Sequence, residues 1–239
     1  MTVSDPLGVS DPLGEVVIRF GLGPAQRTQL ERVLAVLARD PLAPTTVTDP
    51  ERALEAHVAD SLVALELPGV DRALRVADIG SGAGFPGLVL GIALPDAHVS
   101  LVESQGRKCD FLARLVAAAA IANAAVVCRR AEDWPQGRGA HDLVTARAVG
   151  PAAVVLEYAA PLLRAGGMLV DWRGRRDAGR ERSARAVAAR LGLEARETRH
   201  VQPFPSAEHH HLHLYVKVGD TPADLPRRPG MARKRPLRA

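Results

Sequence analysis

A carboxylate and a glycine-rich turn stand together in residues 78–87, DIGSGAGFPG. Glycines in such a turn permit positive φ and let a ligand approach the backbone closely, and the free amides at the start of the following helix can donate to polar ligand groups. A second carboxylate, Glu103, ends the next apolar run, where an acidic side chain can accept both ribose hydroxyls of a nucleotide. Together these residues predict a site for a nucleotide-type cofactor.

Two classes of cofactor compete for this turn. Residues 82–87 satisfy the GxGxxG spacing of a dinucleotide-binding turn, but Phe85 stands where the third glycine would be if the count starts from Gly80, which leaves the strand directly. Asp78 would repel a pyrophosphate, whereas it would attract the sulfonium and ammonium cations of S-adenosylmethionine (AdoMet). We therefore interpret the turn as an AdoMet site, with a dinucleotide-dependent oxidoreductase as the less favoured alternative.

The elements that position these residues alternate between strands and helices. Apolar runs predict strands at 74–79, 98–102, 126–129, 142–145 and 168–172. Helices are predicted at 88–94, 154–163 and 180–191, and the region 201–218 predicts a closing hairpin. This order indicates an α/β fold with a mostly parallel, doubly wound sheet, whose carboxyl edge binds ligands.

The chain before the first strand predicts a disordered tail and then a helical cap. The tail, residues 1–23, contains two consecutive copies of the hexamer VSDPLG, a repeat too rich in Pro and Gly to bury a core. Apolar residues at helical spacing predict amphipathic helices over 24–39 and 51–67. These helices form the predicted cap, residues 24–68.

Three polar residues of the second cap helix, His57, Asp60 and Ser61, are spaced to share one face. They fit two interpretations: a hydrogen-bonded contact that anchors the cap to the body, or a polar cluster near the cofactor or an RNA ligand. We do not interpret His57 as catalytic.

Several short motifs accompany the glycine turn and its FPG: TTVTDP at 45–50, HVADSL at 57–62, VES at 102–104, RAED at 130–133 and TARA at 145–148. With these motifs the chain resembles the RsmG (GidB) family, class I Rossmann-like AdoMet-dependent methyltransferases that act on 16S ribosomal RNA. The resemblance covers about residues 44–218 and, loosely, the tail that follows. It implies transfer of the AdoMet methyl group to N7 of a guanine.

The resemblance also implies roles for individual residues. Gly80 and Phe85 would line the AdoMet pocket, Glu103 would hold the ribose, Ala131 and Glu132 would contact the adenine, and Arg147 would orient cofactor or substrate. The full candidate set for cofactor binding is Asp78, Gly80, Ser81, Gly82, Gly84, Phe85, Glu103, Ser104, Ala131, Glu132 and Arg147. No residue is predicted to act as acid, base or nucleophile, because guanine N7 offers a lone pair and has no proton to lose.

The positive charge of the chain is concentrated at its carboxyl end. Residues 219–239 hold six basic and two acidic side chains, and the whole chain has a net charge of +4. A basic, Pro-rich segment suits contact with a phosphate backbone. We predict a flexible tail that contacts RNA, although a solubilising tail without a partner is the alternative.

The spacing of the histidines and cysteines does not predict a metal-binding site. The run His209–His213 alternates between the two faces of a predicted strand and has no acidic or Cys ligands patterned with it. The two cysteines, Cys109 and Cys128, lack metal or redox spacing, and we interpret them as packing residues.

These observations predict four segments: the tail 1–23, the cap 24–68, an AdoMet-binding methyltransferase domain 69–218 and the basic tail 219–239. The predicted partner is 16S rRNA or the 30S subunit, and we expect a cytoplasmic monomer, since the sequence shows neither a signal peptide nor a membrane segment. Two other functions remain open. One is a small-molecule AdoMet methyltransferase, and the other is a non-catalytic RNA-binding factor in ribosome assembly.

Overall fold

A computed structural model describes residues 10–239, and its centre is a seven-stranded sheet in the order β3-β2-β1-β4-β5-β7-β6. The strands are β1 Arg75–Ile79, β2 His98–Glu103, β3 Ala124–Cys128, β4 His141–Arg147, β5 Leu163–Arg173, β6 Leu193–Val201 and β7 His210–Lys217. The first five pair in parallel, and β7 runs antiparallel to both β5 and β6. The predicted mostly parallel sheet is confirmed.

Helices cover both faces of this sheet. They are α1 Pro12–Arg19, α2 Pro24–Arg39, α3 Pro50–Ala53, α4 Asp60–Leu62, α5 Gly87–Ala93, α6 Gly106–Ala118, α7 Ala152–Ala159, α8 Ala178–Arg190 and α9 Met231–Lys234. Neighbouring residues of a strand enter opposite layers: Val76 packs with the layer that includes α2, α5 and α6, and Ala77 with the layer that includes α7 and α8. Because the central strands are buried on both faces, they are apolar almost throughout.

The predicted cap helices are present, but the second one is not a continuous α-helix. The segment runs from α3 through a π-helix, Leu54–Ala59, into α4 and then a 3₁₀ turn, Val63–Glu66. Asp49 caps the start of α3, where its carboxylate accepts a hydrogen bond from the amide of Arg52 at 3.0 Å. A π-helix inserts an extra residue into a helical turn and is frequent at functional sites. Here it carries His57, one of the three polar residues of the cap.

The prediction of disorder at the amino end is wrong for the part that the structure describes. Residues 12–19 form α1, which begins where Asp11 accepts the amide of Gly14 at 2.9 Å. Asp11 also pairs with Arg27 of α2 at 2.7 Å. The second copy of the repeat therefore supplies a helix cap, because its Asp-Pro pair suits the first positions of a helix. The first copy lies outside the described residues.

Two predictions near the carboxyl end differ from the structure. The closing hairpin begins earlier than residue 201, because its first strand is β6 and only β7 falls within 201–218. The basic tail is not an unattached segment: Ala232 is 2% exposed, and Leu225 and Leu237 pack against the apolar layer of α7 and α8. Apolar residues spaced along the tail hold it on the body.

The cysteines are not separate packing residues. Cys109 of α6 and Cys128 at the end of β3 form a disulfide, with their Cα atoms 5.7 Å apart. The sequence spacing gave no indication of this pair. The bond forms because α6 packs on β3 after the chain crosses over from β2.

Candidate cofactor site

The glycine turn leaves β1 at the carboxyl edge of the sheet, as predicted. Gly80 has φ +70°, and a Cβ atom placed on it would lie 3.0 Å from Cγ2 of Val149. Both facts require glycine at this position. The amides of Gly80 and Ser81 donate to the carbonyl of Val102 at 2.8 and 3.1 Å, which joins the turn to β2.

Glu103 is the last residue of β2, and its carboxylate points back toward the glycine turn. Its Oε1 accepts the amides of Ser104 and Gln105 at 2.7 and 2.9 Å, and its Oε2 accepts the amide of Gly82 at 3.1 Å. The residue is 5% exposed. Three backbone donors therefore fix the carboxylate at the edge of the cavity, where its remaining lone pairs can accept hydroxyl groups.

Asp78 occupies a different position from the one its charge suggested. Its Oδ1 accepts the hydroxyl of Thr145 at 2.7 Å, and its Oδ2 faces Gly87, where a Cβ atom would come within 2.8 Å of it. Burial raises the pKa of Asp78 to about 6, although the Thr145 hydroxyl and the start of α5 lower it in part. Asp78 thus lies beneath the start of α5, where it supports the turn from inside.

The other turn residues also face inward. Ser81 donates its hydroxyl to the carbonyl of Asp78 at 2.8 Å. A Cβ atom on Gly84, which has φ +102°, would contact Leu112 and Leu115 of α6. These residues close the turn and seat it against α6.

Arg147, at the end of β4, connects the sheet edge to the cap. Its Nη1 donates to the carbonyl of Ala56 at 2.9 Å and to Oδ2 of Asp60 at 2.6 Å, and Nη2 lies 3.3 Å from Nδ1 of His57. The ring of His57 stacks on Phe85 with centroids 4.5 Å apart. The polar cluster of the cap and the end of the glycine turn therefore form one contact.

Burial and a neighbouring guanidinium keep His57 neutral. Burial and the neighbouring Arg147 guanidinium lower the pKa of His57 to about 4. Thr45 contacts the opposite edge of the imidazole ring, with its hydroxyl 3.0 Å from Nε2. On the far side, Nε2 of His210 lies 4.0 Å from Oδ1 of Asp60. The arrangement places a fixed guanidinium beside Phe85, and a pKa of about 4 makes the neutral His57 imidazole a weak base.

A cavity of about 160 Å³ opens between the turn and the end of β3. Five of the predicted residues line it: Gly80, Glu103, Ser104, Ala131 and Glu132. Of the remaining six, Asp78, Ser81 and Gly84 lie beneath the turn, Phe85 and Arg147 lie on its cap side, and Gly82 donates its amide to Glu103 at the edge of the cavity. The predicted residues thus divide into a cavity wall and a supporting set.

Sequence reasoning missed several residues of the cavity wall. Tyr158 of α7 and Arg233 of α9 line the cavity together with Lys108 of α6. Burial and the nearby Glu132 raise the pKa of the Tyr158 phenol. Only Lys108 carried a usable signal, since it follows Glu103 by five residues in the next helix; the other two reach the cavity through tertiary packing.

In the part of the chain that the structure describes, no three His, Cys, Asp or Glu side chains converge as metal ligands. Among residues 10–239, no helix combines the length and apolar character needed to cross a membrane.

Solved structures with the same fold are AdoMet-dependent methyltransferases. One from Aquifex aeolicus matches 70% of this chain and 93% of its own, with a TM-score of 0.54 and 15% identity. A mutant of the 16S rRNA (adenine(1408)-N(1))-methyltransferase from Catenulisporales acidiphilia matches 63% of this chain and 89% of its own, with a TM-score of 0.54 and 18% identity. At these identities the comparison establishes the class I methyltransferase fold.

Curated relatives are closer in sequence. A ribosomal RNA small subunit methyltransferase G from Roseiflexus castenholzii is 42% identical over 196 residues, which cover 81% of this chain and 83% of the relative. A protein of the same name from a Synechococcus strain is 40% identical over 204 residues, covering 81% and 77%. The family model for GidB, rRNA small subunit methyltransferase G, matches residues 38–210. The predicted family is confirmed: the chain belongs to the GidB family of rRNA small subunit methyltransferases.

Proposed function

We propose that this protein transfers the methyl group of AdoMet to N7 of a guanine in 16S rRNA. The observation that supports this most directly is that Gly80 and Glu103 line the same cavity, at the carboxyl edge of β1 and β2. In class I methyltransferase folds this edge binds the nucleoside part of the cofactor. Membership of the GidB family supports the choice of 16S rRNA.

The residues at the cavity fit AdoMet. The Glu103 carboxylate suits the ribose hydroxyls. Gly80 lets Val149 lie close to the turn, since a Cβ atom on residue 80 would come 3.0 Å from Cγ2 of Val149, which lines the cavity. Ala131 and Glu132, which follow β3, line the same cavity, and their proposed role is contact with the adenine ring. AdoMet would supply an electrophilic methyl group on a positively charged sulfur.

The protein residues would act by positioning rather than by proton transfer. Guanine N7 presents a lone pair, so alignment of N7 with the methyl group is the main requirement. His57 is a weak base, since its pKa is lowered to about 4, and Arg147 is held between Asp60 and the carbonyl of Ala56. We expect a rate that is nearly flat from about pH 6.5 to 8.5, because no general base is needed.

The RNA would approach across an arginine-rich groove of about 1120 Å³ between the end of β5 and the start of α8. Its basic residues are Arg173, Arg175, Arg176, Arg180 and Arg238. Asp177 and Glu181 offset part of this charge. Such a groove favours phosphate contacts that weaken with salt. We further propose that the enzyme works in the cytoplasm as a monomer in which the cap, 24–68, and the domain 69–218 act together.

The decisive experiment supplies radiolabelled AdoMet to unmodified 30S subunits and to purified 16S RNA, and then maps the modified nucleotide. We expect label at N7 of one guanine, and the more active substrate identifies the physiological form. Label on a different atom would refute the N7 assignment. AdoMet binding without transfer to either RNA would favour the small-molecule methyltransferase or the assembly factor.

A further inference from the structure

We propose that residues 225–237, here called the C-terminal strap, form one wall of the AdoMet pocket and control the exchange of the cofactor. The inference rests on the proposed AdoMet site and adds a binding element that follows the segment matched by the family model, which ends at residue 210. Three observations support it: an ion pair that anchors the strap, two hydrogen bonds from the strap to the pocket, and the small size of the cavity.

The anchor is an ion pair between Arg227 and Glu157 of α7. The guanidinium donates to the carboxylate from Nε at 2.9 Å and from Nη2 at 2.5 Å, and the Glu157 side chain is 1% exposed. Loss of the Arg227 side chain alone would leave this carboxylate buried without its charged partner, which is strongly unfavourable. Ala232 adds an apolar contact on the same layer of the fold. The strap is therefore built into the fold.

From this anchor the strap reaches the cavity at two points. The amide of Gly230 donates to Oε1 of Glu132 at 2.9 Å, and Nη2 of Arg233 donates to the carbonyl of Val149 at 2.9 Å. Glu132 and Val149 line the cavity together with Arg233 itself. The strap thus spans from the end of β3 to the loop after β4, on the side where the adenine would lie.

The cavity behind the strap is small for the ligand it would hold. Pockets for molecules of this size typically occupy about 300–1,000 Å³, whereas this cavity measures about 160 Å³. The wall contributed by Arg233 rests on an exposed side chain that bonds the carbonyl of Val149 and the side chain of Tyr158, whereas Arg227 holds a buried carboxylate. We infer that the pocket widens when the strap segment around Arg233 lifts and the Arg227 anchor stays in place.

The test compares three variants of the full chain with equal charge changes. Arg227→Gln removes the anchor, Arg233→Gln removes the pocket contact, and Arg228→Gln alters the exposed residue next to the anchor. Association and dissociation rates of AdoMet are measured by surface plasmon resonance on immobilised protein. We expect both rates to rise about tenfold in Arg233→Gln and Arg227→Gln, because one charge-assisted contact is lost, and to remain unchanged in Arg228→Gln.

A second measurement separates gating from loss of folding. Hydrogen exchange of residues 225–237 should slow when AdoMet is added to the wild-type protein and to Arg228→Gln, and this protection should be reduced in Arg233→Gln, whose exposed side chain is not needed for packing. The proposal would be overturned if Arg233→Gln bound and released AdoMet at wild-type rates. It would also be overturned if AdoMet did not change the hydrogen-exchange rates of the strap amides in the wild-type protein. Failure of the wild-type protein to bind AdoMet would instead refute the cofactor assignment on which the strap depends.

Discussion

Arg147 and Asp60 lie 2.6 Å apart, from Nη1 to Oδ2, and this contact joins the end of β4 to the helical cap. Neither side chain is open to solvent: the exposed fractions are 18% and 6%. Trp172 of β5 donates to the carbonyl of Asp60 at 2.8 Å, which fixes the cap residue from a second strand. The guanidinium therefore has one orientation, beside Phe85 and the glycine turn.

Asp60→Asn should lower the rate of methyl transfer more than it lowers cofactor affinity. The variant keeps the shape of the side chain but removes the charge that orients Arg147, and misplacement of a positioning group by about 1 Å can cost on the order of 100-fold in rate. We expect kcat on 30S subunits to fall by about that factor, with little change in the Kd for AdoMet. Asp71→Asn, at an exposed position, is the control. Equal losses in kcat and in AdoMet affinity would contradict a substrate-side role for Arg147.

Gly80→Ala should abolish most cofactor binding, and Gly166→Ala is its matched control. Both glycines have positive φ, +70° and +74°, so both substitutions strain the backbone by about 1 kcal/mol. A Cβ atom on Gly166 meets open space, whereas one on Gly80 meets Val149 at the cavity. Calorimetric titration with AdoMet should show weak binding for Gly80→Ala alone. Normal affinity in that variant would remove the glycine turn from the cofactor site.

Glu103→Gln should weaken AdoMet binding by about 1–3 kcal/mol, because a charged hydrogen bond to the ribose becomes a neutral one. The amide retains one oxygen, which can accept the amides of Ser104 and Gln105, whereas the amide of Gly82 loses its acceptor. The control is Asp96→Asn, since Asp96 is exposed. Thermal unfolding without ligand measures the cost of that lost acceptor, and the stabilisation produced by AdoMet should be smaller in Glu103→Gln than in Asp96→Asn. An undiminished AdoMet effect would contradict the ribose role of Glu103.

His213→Gln should make the protein less sensitive to acid. Burial lowers the pKa of His213 from 6.5 to about 4, so its stabilising effect is present above pH 6.5 and is lost as the pH falls toward 4. Between pH 7.5 and 5 the loss amounts to about 2 kcal/mol. Urea unfolding at these two pH values should show a loss smaller by that amount in the variant, and His98→Gln, at an exposed position, should behave as wild type.

The comparison between variants is necessary because other groups titrate in the same range. His57 acts in the same sense as His213, whereas burial raises the pKa values of Asp78 and Asp171 to about 6 and about 7, which favours the folded protein at lower pH. An identical pH dependence in His213→Gln and wild type would show that His213 is not buried in its neutral form.

Local sequence patterns predicted the sheet, the glycine turn and the carboxylate of Glu103, because a strand, a turn and a strand end are specified by adjacent residues. The strap was missed because its contacts join residues far apart in sequence, such as Arg227 and Glu157. The same holds for Cys109 and Cys128, which meet only after α6 packs on β3. Charge patterning alone led to the opposite expectation for the tail, since arginines in a Pro-rich segment resemble a solvated end.

The strand order has a consequence for how such an enzyme can change over evolution. β1 stands between β2 and β4, so most residues of the cavity proposed for the nucleoside lie on the β2 and β3 side, and Arg147 with its cap partners lies on the β4 side. The two halves meet at the glycine turn and at the loop after β4, whose Ala148 and Val149 line the cavity. With the roles proposed above, substitutions on the cap side would alter which nucleotide is accepted while Glu103 and its neighbours still bind the cofactor, so that new target preferences arise without rebuilding cofactor recognition.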